Sequence, residues 1–297
     1  MALPLTIAVT GGSGGIGSAF IDWLAQQETV KRLTSLDAVP PKSSLPGVKA
    51  TFVQVDLTSY EETVEALRGH DAVIHLASKV APSAIVEVPV ETHHINTTMS
   101  YNVLRAAAQL GIQRLAQASS INAIGGYLSK GGPTFDYFPV DEQHPARPHD
   151  AYSLSKLIAE TQASAVTASH PLLRVASIRI HMTKSNNRQD AIFIRGVPNG
   201  LSDVDAYDLW GYGGLDDCAR AFLLALTSEG WEGHEVFYAV APDIATDQTL
   251  SSTELKDRYW PSVEVRQKEW WAGEGSRYRG FFDCTKVKRM LGWEHKR

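Results

Sequence analysis

Residues 5–37 read LTIAVTGGSGGIGSAFIDWLAQQETVKRLTSLD, and the order of features within them decides the fold. The apolar run Leu5 to Thr10 predicts a strand, five glycines crowd positions 11–17, and Phe20, Ile21 and Leu24 then recur at helical spacing. A second strand, Leu33 to Asp37, closes a β-α-β unit. Two registers fit the turn, Gly11/Gly14/Gly17 and Gly12/Gly14/Gly17, and the first is preferred because Thr10-Gly11 falls at the end of the strand. In such a turn one glycine bends the chain, the next lets backbone approach a pyrophosphate, and the last lets helix pack on strand. Gly15 and Ile16 open the helix, whose free N–H groups face the phosphates. A bare glycine pattern also describes a flexible turn, so Asp37, about 20 residues beyond Gly17, carries weight. A carboxylate there accepts both ribose hydroxyls of an adenosine and repels a 2′-phosphate, which favours NAD over NADP. Arg32, the one candidate for a phosphate, precedes the strand rather than following it.

Outward from this unit the same alternation continues, with strands at Thr51 to Val55, Ala72 to Ala77, Arg114 to Ser119 and Val175 to Ile180. Helices fall between them, near Tyr60 to Leu67, Glu91 to Leu110 and from Tyr152. The pattern predicts an α/β protein, a Rossmann-type doubly wound parallel sheet of up to seven strands, with right-handed crossovers. After His181 the rhythm degrades into NNRQD, a glycine-rich WGYGG, a helix near Asp216 to Leu226 and a strand near Glu235 to Val240. The expected division is therefore 1–180 for the NAD-binding domain and 181–297 for a smaller substrate-binding lobe partly interleaved with it. Pro40 to Pro46 and Pro139 to Pro148 read as surface loops, and the tryptophans at 210, 231, 270, 271 and 293 as lobe packing.

Composition narrows the partners. With 297 residues, 43% hydrophobic and 21% charged, the chain is an ordinary globular sequence, and a net charge of -5 gives no basic field for nucleic acid. Its two cysteines, Cys218 and Cys284, have neither disulfide nor metal-site spacing, so no metal is expected. MALPLTIAVTGG lacks the basic start and cleavage site of a signal peptide, and no apolar run approaches the roughly 18 to 20 residues of a membrane span. A small-molecule substrate, no membrane and a cytoplasmic location are the expectations.

The strand ends carry the chemistry: Asp56-Leu57 after the third, His75-Leu76-Ala77-Ser78 after the fourth, Ser119-Ser120 after the fifth. Tyr152 and Lys156 stand four apart, on one helix face. In this combination the chain resembles, over nearly its whole length, the extended short-chain dehydrogenase/reductases of the NAD-dependent epimerase/dehydratase group. TGGSGGIG, Asp37, the DL at 56–57, HLAS, Asn96 with NVL at 102–104, the serine pair, YSLSK and FDCTKVKRMLGW follow in order. The resemblance implies that Tyr152 is the acid/base, that Lys156 holds the nicotinamide ribose, and that Ser120 bonds the substrate oxygen; the Lys156 ammonium and the nicotinamide cation of the oxidised cofactor both favour the phenolate. Ser120 is chosen over Ser119 because the group's catalytic hydroxyl stands five residues before a glycine, here Gly125. Ser119 is then a cofactor-side residue, together with Leu57, Leu76, Ala77 and Ser78. The resemblance also puts Asn96 near the nicotinamide side, where a capping role is an alternative, and makes His181 a cofactor-wall candidate. His93 and His94 point to different faces of a helix.

The segments ARPHDAYSLSKLIAE and IRIHMTKSNNR look most like uronate dehydrogenases, which oxidise the anomeric carbon of a sugar acid. Where those enzymes place a polar pair after the serine, this sequence has Ile121-Asn122, and a carboxylate-binding arginine is matched only by shifting Arg188 one place. Ser78, Ser120, Asn122, Tyr152 and Arg188 are the candidate substrate contacts. An NAD-retaining sugar epimerase is the alternative, although the 117 residues of 181–297 are few for gripping a nucleotide diphosphate. Dehydration is disfavoured by Ile121-Asn122. A cofactor-sensing regulator is a third reading, but such proteins usually lose the Tyr or Lys retained here. The helices from Glu91 and Tyr152 are where the group forms homodimers.

Overall fold

The computed structural model describes residues 4–47, 49–80, 89–129, 131–183, 191 and 203–296. Strands β1 (Leu5–Thr10), β2 (Val30–Asp37), β3 (Ala50–Gln54), β4 (Ala72–His75), β5 (Arg114–Ser120), β7 (Arg174–Ile180) and β8 (His234–Ala239) form one parallel sheet in the order β3-β2-β1-β4-β5-β7-β8. The short β6 (Tyr137–Phe138) and β9 (Glu264–Val265) pair separately. Every residue of β1 is buried, as a central parallel strand covered on both faces requires. β2 begins at Val30, three residues before the expected start, because the buried Val30 pairs with Leu5.

Helices cover both faces. α1 (Gly15–Leu24) lies on one side, and α2 (Tyr60–Leu67), α3 (Val90–Leu110) and α4 (Ala151–Ser169) on the other, where Val103, Leu104, Ala163 and Val166 meet the sheet. α5 (Asp203–Tyr207) is one short piece, and α6 (Leu215–Thr227) joins α1, the rings of Phe20 and Phe222 meeting edge to face at 5.3 Å. α7 (Ser252–Tyr259) belongs to the lobe, and α8 (Thr285–Leu291) returns to the main core through Val287 and Leu291. Among the described residues no helix is long and apolar enough to cross a membrane.

A division at residue 180 does not separate these elements. Within the span expected to be the lobe, β8 pairs with β7 as the last strand of the main sheet, and α6 packs on that sheet beside α1. Conversely, Tyr137-Phe138 lies in the first half of the chain and supplies half of the lobe's small sheet. The stretch Pro139 to Pro148 is more than a surface loop: Val140 and His144 are buried, and Val140 bridges to Phe282. Trp210 and Trp271 pack in the lobe, Trp270 is held there by donating to the Gly280 carbonyl under the Arg279 guanidinium, and Trp231 and Trp293 pack in the main core.

Candidate active site

Strand order reverses between β1 and β4, and a cleft of about 620 Å³ opens at the carboxyl ends of these strands. Glycines floor it. Gly11 has φ +71°, and a Cβ there would lie 2.6 Å from the amide nitrogen of Ala77. A Cβ on Gly17 would lie 2.1 Å from the Gly11 carbonyl oxygen, so helix α1 touches the turn it follows. Gly14 caps α1 and its N–H donates to the Gly11 carbonyl at 3.1 Å, while a Cβ on Gly15 would meet nothing within 4 Å. Gly12 instead faces Ser35 beneath and is absent from the lining, so Gly11, Gly14, Gly15 and Gly17 present the backbone, with Ile16 beside them. The first turn of α1 leaves N–H groups without helical partners at the same place.

Asp37 ends β2 on the rim; its Oδ2 accepts the Ser13 N–H at 3.0 Å and its Oδ1 that of Val39 at 3.3 Å. Asp56 and Leu57 line the same end, and two hydrogen bonds from Thr58 hold the Asp56 carboxyl below its usual range. Leu76, Ala77 and Ser78 follow β4 along the wall. Behind them His75 is buried against the Thr10 hydroxyl at 2.7 Å, and burial, with the nearby Lys156 charge, pushes its imidazole down to about 3.

At the other end Asp150 caps α4 by accepting the Tyr152 and Ser153 N–H groups, both at 2.9 Å, which fixes where Tyr152 starts. Tyr152 and Lys156 line the cleft, with Nζ 5.6 Å from the phenol ring centre. Ser120 stands beyond that lining, its hydroxyl accepting the Asn122 N–H at 3.1 Å. Burial pushes the Tyr152 phenol up to about 12, the neighbouring Ser120 hydroxyl opposes this, and the Asp150 charge adds to it. Burial likewise pushes the Lys156 ammonium down to about 8, against the pull of Glu160.

Other expected residues are placed differently. The Ser119 hydroxyl turns inward and donates to Glu160 at 2.6 Å, so only the rest of the residue faces the cleft. Asn96 is buried behind the wall: its Oδ1 accepts the Lys79 N–H at 2.7 Å, and its Nδ2 donates to the Lys79 carbonyl and the Ser155 hydroxyl, both at 3.0 Å. It shapes the cleft without lining it. His181 pairs with the Asp208 carbonyl at 2.8 Å and packs edge-on against Phe282, while Ile180 supplies the wall. The side-chain oxygen of Asn122 takes the Leu128 N–H at 3.3 Å. Arg188 lies outside the described residues. Sequence reasoning missed Asp150, Glu160, Arg179 and Tyr238. The helix-start rule finds Asp150, and the four-residue step from Lys156 puts Glu160 on the same face.

The cleft suits NAD on its own geometry: a glycine turn in which Gly11 and Gly17 leave no room for a Cβ and whose backbone lines the floor, a helix start above it, and a carboxylate on the rim. Gly14, Gly15 and Ile16 would hold the pyrophosphate, Asp37 the adenosine ribose, and Tyr152 with Lys156 the nicotinamide end.

The model of the family described as NAD dependent epimerase/dehydratase matches residues 7–237. A putative UDP-glucose 4-epimerase of Methanocaldococcus jannaschii is 28% identical over 97% of this chain and 92% of its own. Uronate dehydrogenase from Agrobacterium tumefaciens superposes with a TM-score of 0.68 at 21% identity, covering 100% of this chain and 86% of that one. MoeE5 in complex with UDP-glucuronic acid and NAD gives 0.69 at 19% identity, over 98% and 94%. At such identities the two solved structures bear on the fold.

Proposed function

The chain belongs to the NAD-dependent epimerase/dehydratase family, and from that we propose that it oxidises or reduces a hydroxyl or carbonyl carbon of a small sugar-like or polyol substrate. One arrangement carries this reading: Tyr152 and Lys156, on one face of α4, reach the glycine-floored cleft together at the end of β5, where Ser120 stands. When bound, NAD supplies the hydride chemistry. The protein's part is the proton and the orientation. Tyr152, protonated at rest, gives its proton to a substrate carbonyl oxygen, or takes one from a hydroxyl once positive charge beside it favours the phenolate. Ser120 hydrogen-bonds that same oxygen as its charge changes. Lys156, anchored by donating to the Ala118 carbonyl at 2.8 Å, keeps the positive charge in place below its midpoint near 8.

Tyr152→Phe removes the proton but little volume. Turnover, followed as reduced cofactor with a panel of sugar acids, polyols and hydroxy-ketones, falls on the order of 100-fold or more while NAD still binds. Near-normal turnover with NAD bound overturns the assignment. A second reading, an epimerase that retains NAD, is favoured by the likeness to the archaeal putative epimerase over nearly the full chain. It predicts product without net change in reduced cofactor, and a sensor predicts NAD binding with no turnover.

A further inference from the structure

Directly beneath the site lies a charged cluster that the proton chemistry does not use. Glu160 and Arg179, with side chains 6% and 5% exposed, are paired twice, Nε to Oε1 at 2.9 Å and Nη2 to Oε2 at 2.8 Å. Arg179 also donates to the Tyr238 hydroxyl at 3.1 Å, and Ser119 donates to Glu160 at 2.6 Å. One carboxylate thus ties α4 to β5 and β7, and through Arg179 to β8. A buried ion pair is weak evidence of stabilisation, because apolar residues of equal volume often serve as well, so its position matters more than its strength.

That position is one helical turn beyond Lys156, on the same face of α4. The two residues grip the two halves of one strand end: Lys156 Nζ donates to the Ala118 carbonyl, and Glu160 receives the hydroxyl of Ser119, the next residue. Few other charges bear on Lys156. From β4 it faces His75, held neutral by burial; β5 offers the Ala118 carbonyl and the Ser119 hydroxyl; β7 offers Arg179, already engaged by Glu160. On β8, Tyr238 and His234, the latter pushed down to about 4 by burial, bear on Glu160 and Arg179 rather than on Lys156. On its own helix Lys156 faces Tyr152 and Glu160, so Glu160 is the one carboxylate acting on it.

We propose that Glu160 is a positioning residue for Lys156: clasped by Arg179 and Ser119, it anchors the strand end that receives the ammonium and sets a fixed negative charge one turn away. The proposal rests on the reading of Tyr152 and Lys156 as the proton-handling pair, but its test needs neither substrate nor cofactor. In cofactor-free protein carrying 13C-labelled lysine, the Lys156 signal, identified by its loss in Lys156→Arg, titrates by NMR with a midpoint near 8. Glu160→Gln keeps the shape and removes the charge, and the midpoint falls by about one pH unit or more. Because Arg179 is then left buried without its partner, the double variant Glu160→Gln/Arg179→Met is measured beside it, and it too lowers the midpoint. A midpoint unmoved in whichever variant folds overturns the proposal. So does loss of folding in both, which assigns the pair to the core alone. Tyr152→Phe is read by turnover and Glu160→Gln by a midpoint, so the two readings fail separately.

Discussion

Asp37 works with its carboxylate partly engaged: the Ser13 N–H, from the glycine turn itself, donates to Oδ2 at 3.0 Å. The turn and the acid are therefore one structural unit, and the proposed reading gives the remaining acceptor capacity of Asp37 to an adenosine ribose. Asp37→Ala lowers the ratio of NADP to NAD dissociation constants by roughly tenfold, the worth of a hydrogen bond to a charged group, as competition binding of the two cofactors reads directly. An unchanged ratio removes Asp37 from the ribose. The placement of Asp37 and the glycines at one cleft was legible in the sequence because it is set within one β-α-β unit. Ser119, Asn96 and His181 were not, because what a hydroxyl, amide or imidazole does depends on partners far along the chain. For these three the partners are Glu160, Lys79 with Ser155, and Asp208.

At the scale of elements, the turn and α1 form a single packed joint. The 2.1 Å between a Cβ on Gly17 and the Gly11 carbonyl is a contact with backbone, which has no flexible side chain to move aside. Gly17→Ala therefore costs about 1 to 3 kcal/mol of stability and weakens NAD binding tenfold or more by lifting the helix start away, measurable by denaturant unfolding and calorimetry. Gly15→Ala, whose Cβ meets open space, leaves unfolding unchanged and so tells helix packing from ligand contact. Most strands and helices were legible to within a few residues, since β-branched runs and helical spacing are local signals. Neighbours were not legible. α6 and β8 were recognised as helix and strand, but nothing local says that β8 pairs with β7 rather than with a lobe strand.

For the molecule as a whole, burial of neutral histidines makes stability depend on acid. His75 and His234 ordinarily titrate near 6.5 but are held down to about 3 and about 4 in the fold. Between those values the unfolded chain binds more protons than the folded one, so stability rises with pH through the window and is lost as pH falls. Each histidine contributes on the order of 1.4 kcal/mol per pH unit within its window. Denaturant midpoints measured from pH 7 to pH 4 fall accordingly. The Ser177 and Ser164 hydroxyls that His234 joins, both at 2.7 Å, are within reach of an amide, and His234→Gln flattens the decline. The lobe was the least legible part of the sequence, because its aromatic cluster is assembled from 135–140, 209–210, 238–244 and 281–282, with no periodic signal in any one piece. Its small sheet carries a consequence for how the protein is made. Tyr137-Phe138 leaves the ribosome long before Glu264-Val265 is translated, and β8 likewise trails the six strands it completes. A nascent chain halted near residue 180 presents a sheet edge and a lobe strand with nothing to close on, so the fold closes only once β8 and then β9 have followed.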